Sequence, residues 1–327
     1  MKHKLSLLFL LWVAIGIISA GLPQAQAHPL EAESRVRDQP AATFINTTPT
    51  NFRTPEPLQI APPTVTPANF PTVDLTIQPK FLISSAQAWL WNPPGKVVTP
   101  ILLYHHVAES SHPVRYIVSP ADFENQMRSL IAWGYTPIPL SQLVQALVNG
   151  AELPERPVVI TFDDGNLDVY QNAFPILRRY GFTATFFVIV NQIGIKGYSH
   201  LDQLQDLLAA GWEIGSHTKI HADLNQAEVN LNSEIIQSRQ ELEALLGTKV
   251  SSFSFPYGLT NPYATKMVRE AGYQSAVGLG GLVTHTLKTQ FYLSRIEVRG
   301  DADLVAFASL LPWSGEVATS DGRRAGQ

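Results

Sequence analysis

Val158-Val159-Ile160-Thr161-Phe162-Asp163-Asp164-Gly165 sets a β-branched, apolar run directly against two carboxylates and a glycine. Such a run predicts a strand buried on both faces, as in the middle of a parallel sheet. The two acids then stand at its C-terminal end, where β/α enzymes gather their reactive groups. Gly165 supplies a sharp turn. Adjacent carboxylates repel each other, and a bound cation would relieve that repulsion while leaving one of them free as a base. Asp-Asp-Gly is also ordinary turn and helix-cap chemistry, so this stretch alone leaves both readings open.

Outward from this strand, apolar runs alternate with capped amphipathic segments, the pattern of a β/α protein with parallel strands. Ile101 to Tyr104 predicts an earlier buried strand. Ser119-Pro120-Ala121-Asp122 supplies an N-cap, a proline at the first helical position and an acid in the first turn, opening a helix that runs to about Trp133. Ser141 is expected to cap a second short helix, and Ser199 with Asp202 a later one. A helix is expected to end near Tyr180, and Ala184 to Val190 and Trp212 to Gly215 are the next strands. Asn225 to Leu246 predicts one long helix with Ile235, Leu242, Leu245 and Leu246 on its buried side. Strands near Val250–Phe255, Tyr273–Val277 and Arg295–Val298 alternate with helices at Pro262–Ala271 and Asp301–Leu311. The count of alternations suggests a barrel-like fold, and no Gly-x-Gly-x-x-Gly follows the first strand to suggest a dinucleotide-binding sheet.

The chain has 327 residues, 45% of them hydrophobic and 15% charged, which suits a globular protein with appendages. Its net charge of -4, with no Lys/Arg run, argues against nucleic acid as a partner. Lys2 and Lys4 precede an apolar run from Leu5 to about Ala20, and Ala25-Gln26-Ala27 has the small-x-small pattern of a signal-peptidase site. Residues 1–27 are therefore read as an export signal, with an uncleaved membrane anchor as the alternative. Either places the remainder outside the cytoplasm, in the envelope, the periplasm or the medium. Residues 28–94 are rich in Pro, Thr, Ala and Asn and are expected to form a linker, although Phe81–Trp91 is apolar enough for a short packed element. Residues 95–312 are the expected catalytic domain and 313–327 a flexible tail. Cysteine is absent, which excludes disulfides, a thiolate-ligated metal and a lipid-anchor cysteine. Nothing in the sequence signals an oligomer.

His217 and His221 also follow a strand, at a spacing that lets two imidazoles converge on one ion if the segment makes a helical turn. Histidines at this spacing also occur by chance on surfaces. Two histidines with Asp164 would form a hard site with open positions, suited to Zn²⁺ or another divalent first-row metal. Thr161-Phe162-Asp163-Asp164-Gly165 and Ser216-His217-Thr218-Lys219-Ile220-His221, followed by Phe255-Pro256-Tyr257-Gly258, resemble in order the first three motifs of the polysaccharide deacetylases with a NodB homology domain, carbohydrate esterase family 4. The resemblance covers about Pro100 to Leu311.

This resemblance implies an α/β fold of the distorted (β/α) barrel type in a single catalytic domain. It implies removal of acetyl groups from N-acetylated glycans such as poly-N-acetylglucosamine, peptidoglycan or chitin-like polymers. Asp163 is similar to the family's general base, Asp164, His217 and His221 to its metal ligands, and Tyr257 to the residue whose backbone N–H helps hold the oxyanion. The implied metal is Zn²⁺, with Co²⁺ or Ni²⁺ as alternatives. In most members the general acid is a late Leu-x-His histidine, whereas the late region here offers Val283-Thr284-His285. Leu103-Tyr104-His105, directly after the first strand, matches better and resembles the circularly permuted branch that includes poly-N-acetylglucosamine deacetylases. His105 is therefore read as the acid and Leu103 as a wall around the acetyl methyl, against the alternative of a hydrogen-bonded core histidine. His106 is expected to point the other way if the strand continues. Ser254 stands where the family's third motif usually has an arginine, and Arg295 is the candidate replacement, a surface arginine being the alternative. No clear Asp-plus-Trp fourth motif is present. The competing functions are an O-acetyl esterase using the same metal site and a degenerate glycan-binding protein of the envelope.

Overall fold

The computed structural model describes residues 89–315, 317–318 and 324–325. The expected export signal and all but the last residues of the expected linker lie outside these. Those last residues belong to a strand, Trp89–Asn92, paired antiparallel with Ala151–Pro154. At the other end Trp313, the first residue of the expected tail, donates its N–H to the Tyr135 hydroxyl and packs on that ring.

Seven parallel strands form the framework: β1 (Ile101–Tyr104), β2 (Pro157–Phe162), β3 (Thr185–Val188), β4 (Glu213–Ser216), β5 (Ser252–Ser254), β6 (Ser275–Val277) and β7 (Ile296–Glu297). Their order across the sheet is β6-β5-β4-β3-β2-β1-β7, and the short strand Thr136–Pro137 also pairs with β2. The first and last strands in the chain are thus neighbours, joined through Ile296–Leu102 and Glu297–Leu103. Leu293, just ahead of β7, bridges to Val277 at the end of β6. One short segment therefore meets both ends of the sheet, which curls into the expected distorted (β/α) barrel.

Strand alternation decides what each face buries. Leu102 and Tyr104 of β1, Val158, Ile160 and Phe162 of β2 and Phe186 of β3 point outward into the main core, under the surrounding helices. Ile101, Val159 and Phe187 point inward and pack with α2 (Leu140–Asn149), whose Leu143, Val144 and Leu147 fill this second cluster. The α2 N-terminus is held by Glu213, the first residue of β4, whose carboxylate accepts the Ser141 N–H at 3.0 Å. With α2 against the lower interior, the strands' C-terminal ends are left for the site.

α1 (Pro120–Ala132) begins as expected, with the Ser119 hydroxyl accepting the Asp122 N–H. Other helix starts differ. Ser141 lies inside α2, after Pro139 and Leu140, and Glu213 supplies the acceptor that the sequence seemed to place in Ser141. α3 (Phe174–Arg179) ends at Tyr180 as expected. α4 (Leu201–Ala209) is capped through the His200 N–H and Gln203, while Ser199 is buried under the turn after Asp164. The long helix expected from Asn225 starts only at Asn232, with one wide turn leading into α5 (Ser238–Leu246). Residues 225–231 instead form an irregular rim. α6 (Pro262–Glu270) and α7 (Leu304–Ser309) complete the set. Among the described residues, no helix is long and apolar enough to cross a membrane.

Candidate active site

Four parallel strands deliver reactive groups to one rim. Asp163 and Asp164 follow β2, His217 follows β4, His105 follows β1, and Ser254 ends β5. All but the buried Ser254 line a hollow of about 400 Å³, to which Leu103, His221, Tyr257, Leu279 and Arg295 also contribute.

Asp164 Oδ1 lies 3.5 Å from Nε2 of both His217 and His221. One ligand atom from each of the three lies within 4.8 Å of the others, close enough for the three to converge on a single ion. The distal ring nitrogens are engaged as metal-binding histidines require. His217 Nδ1 donates to the Ser254 carbonyl at 2.9 Å, and His221 Nδ1 lies 3.1 Å from the Tyr257 hydroxyl. Both Nε2 atoms face Asp164. The donor set fits a divalent first-row cation.

The convergence of the histidines is not helical. Residues 217–223 have no regular structure, and Thr218 (φ 67°) and His221 (φ 64°) bring the rings together through left-handed backbone. Asp164 (φ 74°) and Tyr257 (φ 60°) share this conformation, and these four are all the non-glycine residues with positive φ among the described residues. Each such residue is strained by about 1 kcal/mol or more, and strain of this kind collects at sites that need unusual side-chain directions.

Asp163 is buried and held by Arg295, not by a ligand partner. Arg295 Nη1 donates to Oδ1 and Nη2 to Oδ2, both at 2.7 Å, and the Ser254 hydroxyl adds a bond at 3.1 Å. Arg295 also donates to Ser254 Oγ and to the Gly278 carbonyl, and is 1% exposed, so the surface-arginine alternative does not hold. Burial pushes the Asp163 carboxyl up, but the charges of Arg295 and His217 outweigh it and hold it far below the usual carboxylate range. Burial also opposes charge on His217, yet Asp163 and Asp164 raise its pKa.

His105 lines the pocket too, with its ring against Tyr116 and burial lowering its pKa. Its Nδ1 is buried without a hydrogen-bond partner. His285 of the late Val-Thr-His is fully buried away from the pocket, bonded to the Thr99 carbonyl. β1 ends at Tyr104, so His106 does not alternate away as expected; it lines the pocket too and contacts Asp168 at 2.7 Å.

Sequence reasoning missed the group that holds this segment. Asn166 Nδ2 donates to the His105 carbonyl, Asp168 accepts the Val107 N–H at 2.9 Å, and Asn172 Nδ2 donates to the Val107 carbonyl at 2.7 Å. All three follow Asp164 in the chain. The only sequence signal was their polarity at the start of an otherwise apolar helical segment.

A family model for polysaccharide deacetylase matches residues 150–276, a span that holds Asp163, Asp164, His217, His221 and Tyr257 and leaves out His105 and Arg295. YxkH of Bacillus subtilis (strain 168), assigned by name to the polysaccharide deacetylases, is 33% identical over 192 residues, which cover 58% of this chain and 67% of that protein. The poly-beta-1,6-N-acetyl-D-glucosamine N-deacetylase of Staphylococcus aureus (strain MRSA252) is 26% identical over 202 residues, 57% of this chain and 69% of that one. The Streptococcus pyogenes deacetylase PplD, solved in complex with acetate, aligns with a TM-score of 0.61 at 25% identity, over 66% of this chain and 98% of that structure. Motif order, barrel and relatives agree, and the chain belongs to the polysaccharide deacetylase family, as a hydrolytic enzyme.

Proposed function

We propose that the chain removes N-acetyl groups from an N-acetylglucosamine-containing polysaccharide with the help of a divalent metal, releasing acetate and leaving a free amine on the sugar. The observation that carries this reading is the separation of the two carboxylates: Asp164 faces the histidine pair while Asp163 is gripped by Arg295. A cation, zinc first among candidates, would be held by Asp164, His217 and His221 and, when bound, polarises the acetyl carbonyl and acidifies a water.

Asp163 remains ionised across the neutral range and takes the proton of the attacking water, with Arg295 fixing its oxygens. The backbone N–H of Tyr257 supports the oxyanion. His105 gives a proton to the leaving nitrogen as the C–N bond breaks, and burial makes its imidazolium a readier donor. Leu103, buried at the pocket wall, receives the acetyl methyl. Residues 1–27 as an export signal, with the expected linker of 28–94 after it, suit a substrate outside the cytoplasm.

Acetate release from N-acetylglucosamine oligomers, with and without chelator, tests the reading. Wild-type release should be chelator-sensitive, and Asp163→Asn and His105→Ala should each lower kcat by about 10²-fold or more. Release only from O-acetylated sugars would make the chain an esterase.

A further inference from the structure

A hollow of about 400 Å³ is at the small end of sites for single small ligands, so most of a polysaccharide must be seated outside it. A second hollow, of about 450 Å³, is lined by Leu224, Asn225, Asn230, Asn232, Asn261 and Tyr263 among others. It is built by the continuations of two of the loops that line the first. The loop carrying His221 continues into Leu224–Asn232, and the loop carrying Tyr257 and Gly258 continues into Asn261 and Tyr263. Leu224 is three positions after His221 and Asn261 three after Gly258, which bounds each step to about 10 Å. Asn261 ties the loops together: its Nδ2 donates to the Leu224 carbonyl while its Oδ1 accepts the Ala264 N–H at the start of α6.

The chemistry of this hollow is that of sugar recognition. None of its lining residues is charged. Tyr263 is 64% exposed and offers a flat apolar ring to the C–H face of a pyranose. Asn225 and Asn232 carry side-chain amides that make no hydrogen bond within the described residues, leaving donors and acceptors for hydroxyl and acetamide groups. Tyr257 and Leu259, also exposed, lie on the loop between the two hollows.

We propose that this hollow is a second sugar-binding site, which holds a neutral, N-acetylated stretch of the polysaccharide a few sugars away from the acetamide being cleaved. The inference rests on the deacetylase reading for its substrate class. The lining itself offers an ammonium group no carboxylate, and the adjoining Asp223 is already bonded to the Asn225 N–H and to Gln226, so the hollow favours stretches still acetylated over stretches already processed.

The test compares the dimer and hexamer of N-acetylglucosamine, in β-1,4 and β-1,6 linkage, using the full chain. Wild type should show a higher kcat/KM on the hexamer. Tyr263→Ala and Asn232→Ala should remove roughly five- to tenfold of that advantage through KM and leave dimer rates unchanged. Calorimetric titration of the hexamer into Asp163→Asn should weaken by a similar factor when Tyr263→Ala is added. Equal use of both lengths by wild type, equal losses on both in the variants, or hexamer binding indifferent to Tyr263 would each overturn the second site. Absence of acetate from either length would instead count against the deacetylase reading, and the titration would still decide whether the hollow binds sugar.

Discussion

Asp163 is buried yet charged, because Arg295 grips both of its oxygens from the far end of the chain. Arg295→Met leaves that carboxylate without its partner and should destabilise the fold by about 3–5 kcal/mol, read by chemical denaturation at pH 7. Arg295→Lys keeps the charge but not the two-pronged grip, so it should fold and lower kcat roughly 10- to 100-fold with little change in KM. The pH dependence has a definite sign. A carboxyl whose folded pKa is depressed contributes stability above its ordinary value, and that contribution is lost as pH falls toward the folded value. Wild type should therefore lose stability below about pH 4, and Arg295→Met should lose less over the same interval.

Beyond β1 the chain makes only a two-residue strand, His106–Val107, paired parallel with Ile117–Val118, and the segment 105–107 is anchored further by the turn and helical segment after β2. Asn166, Asp168 and Asn172 bind its backbone at three points, which ties the acid candidate His105 to the element carrying Asp163 and Asp164. Asp168→Ala removes the central acceptor and also frees His106. It should lower kcat about tenfold or more while leaving the zinc affinity of Asp164, His217 and His221 unchanged, as measured by steady-state kinetics beside metal titration. Motif order was legible in the sequence because each motif is a short contiguous stretch, the first of them following the apolar run of β2. This clamp was not, since it depends on contacts such as the one between Val107 and Asp168, 61 residues apart. Ser141 failed as a cap for the same reason: the acceptor for α2 is Glu213, 72 residues later.

The three proposed metal ligands come from two separate strand ends, so ion binding should couple to the stability of the whole barrel. Zinc at a hundred times its dissociation constant contributes about 2.7 kcal/mol, a rise in Tm of roughly 5–10 °C for a domain of this size. Chelator should reverse the rise, and His217→Ala should abolish it, as followed by thermal unfolding. His217 must give up its proton to bind, and the two neighbouring aspartates raise its pKa against the effect of burial. The zinc-dependent rise should accordingly shrink as pH is lowered from 8 to 5.5.

The sequence by itself determined the β/α alternation, the central strand running into Asp163 and Asp164, the histidine pair, and the family that these motifs resemble. Each of these is written in short-range pattern: strand periodicity, β-branched runs and residue spacing. Only the tertiary structure decided that Arg295 holds Asp163, that His285 is buried away from the pocket, and that His217 and His221 converge through left-handed backbone instead of a helix. Such outcomes depend on contacts distant in sequence, among them the closure of the sheet where Leu293, just ahead of β7, meets Val277 of β6. A contact made by that closure joins residues far apart in the chain, and no local pattern encodes it.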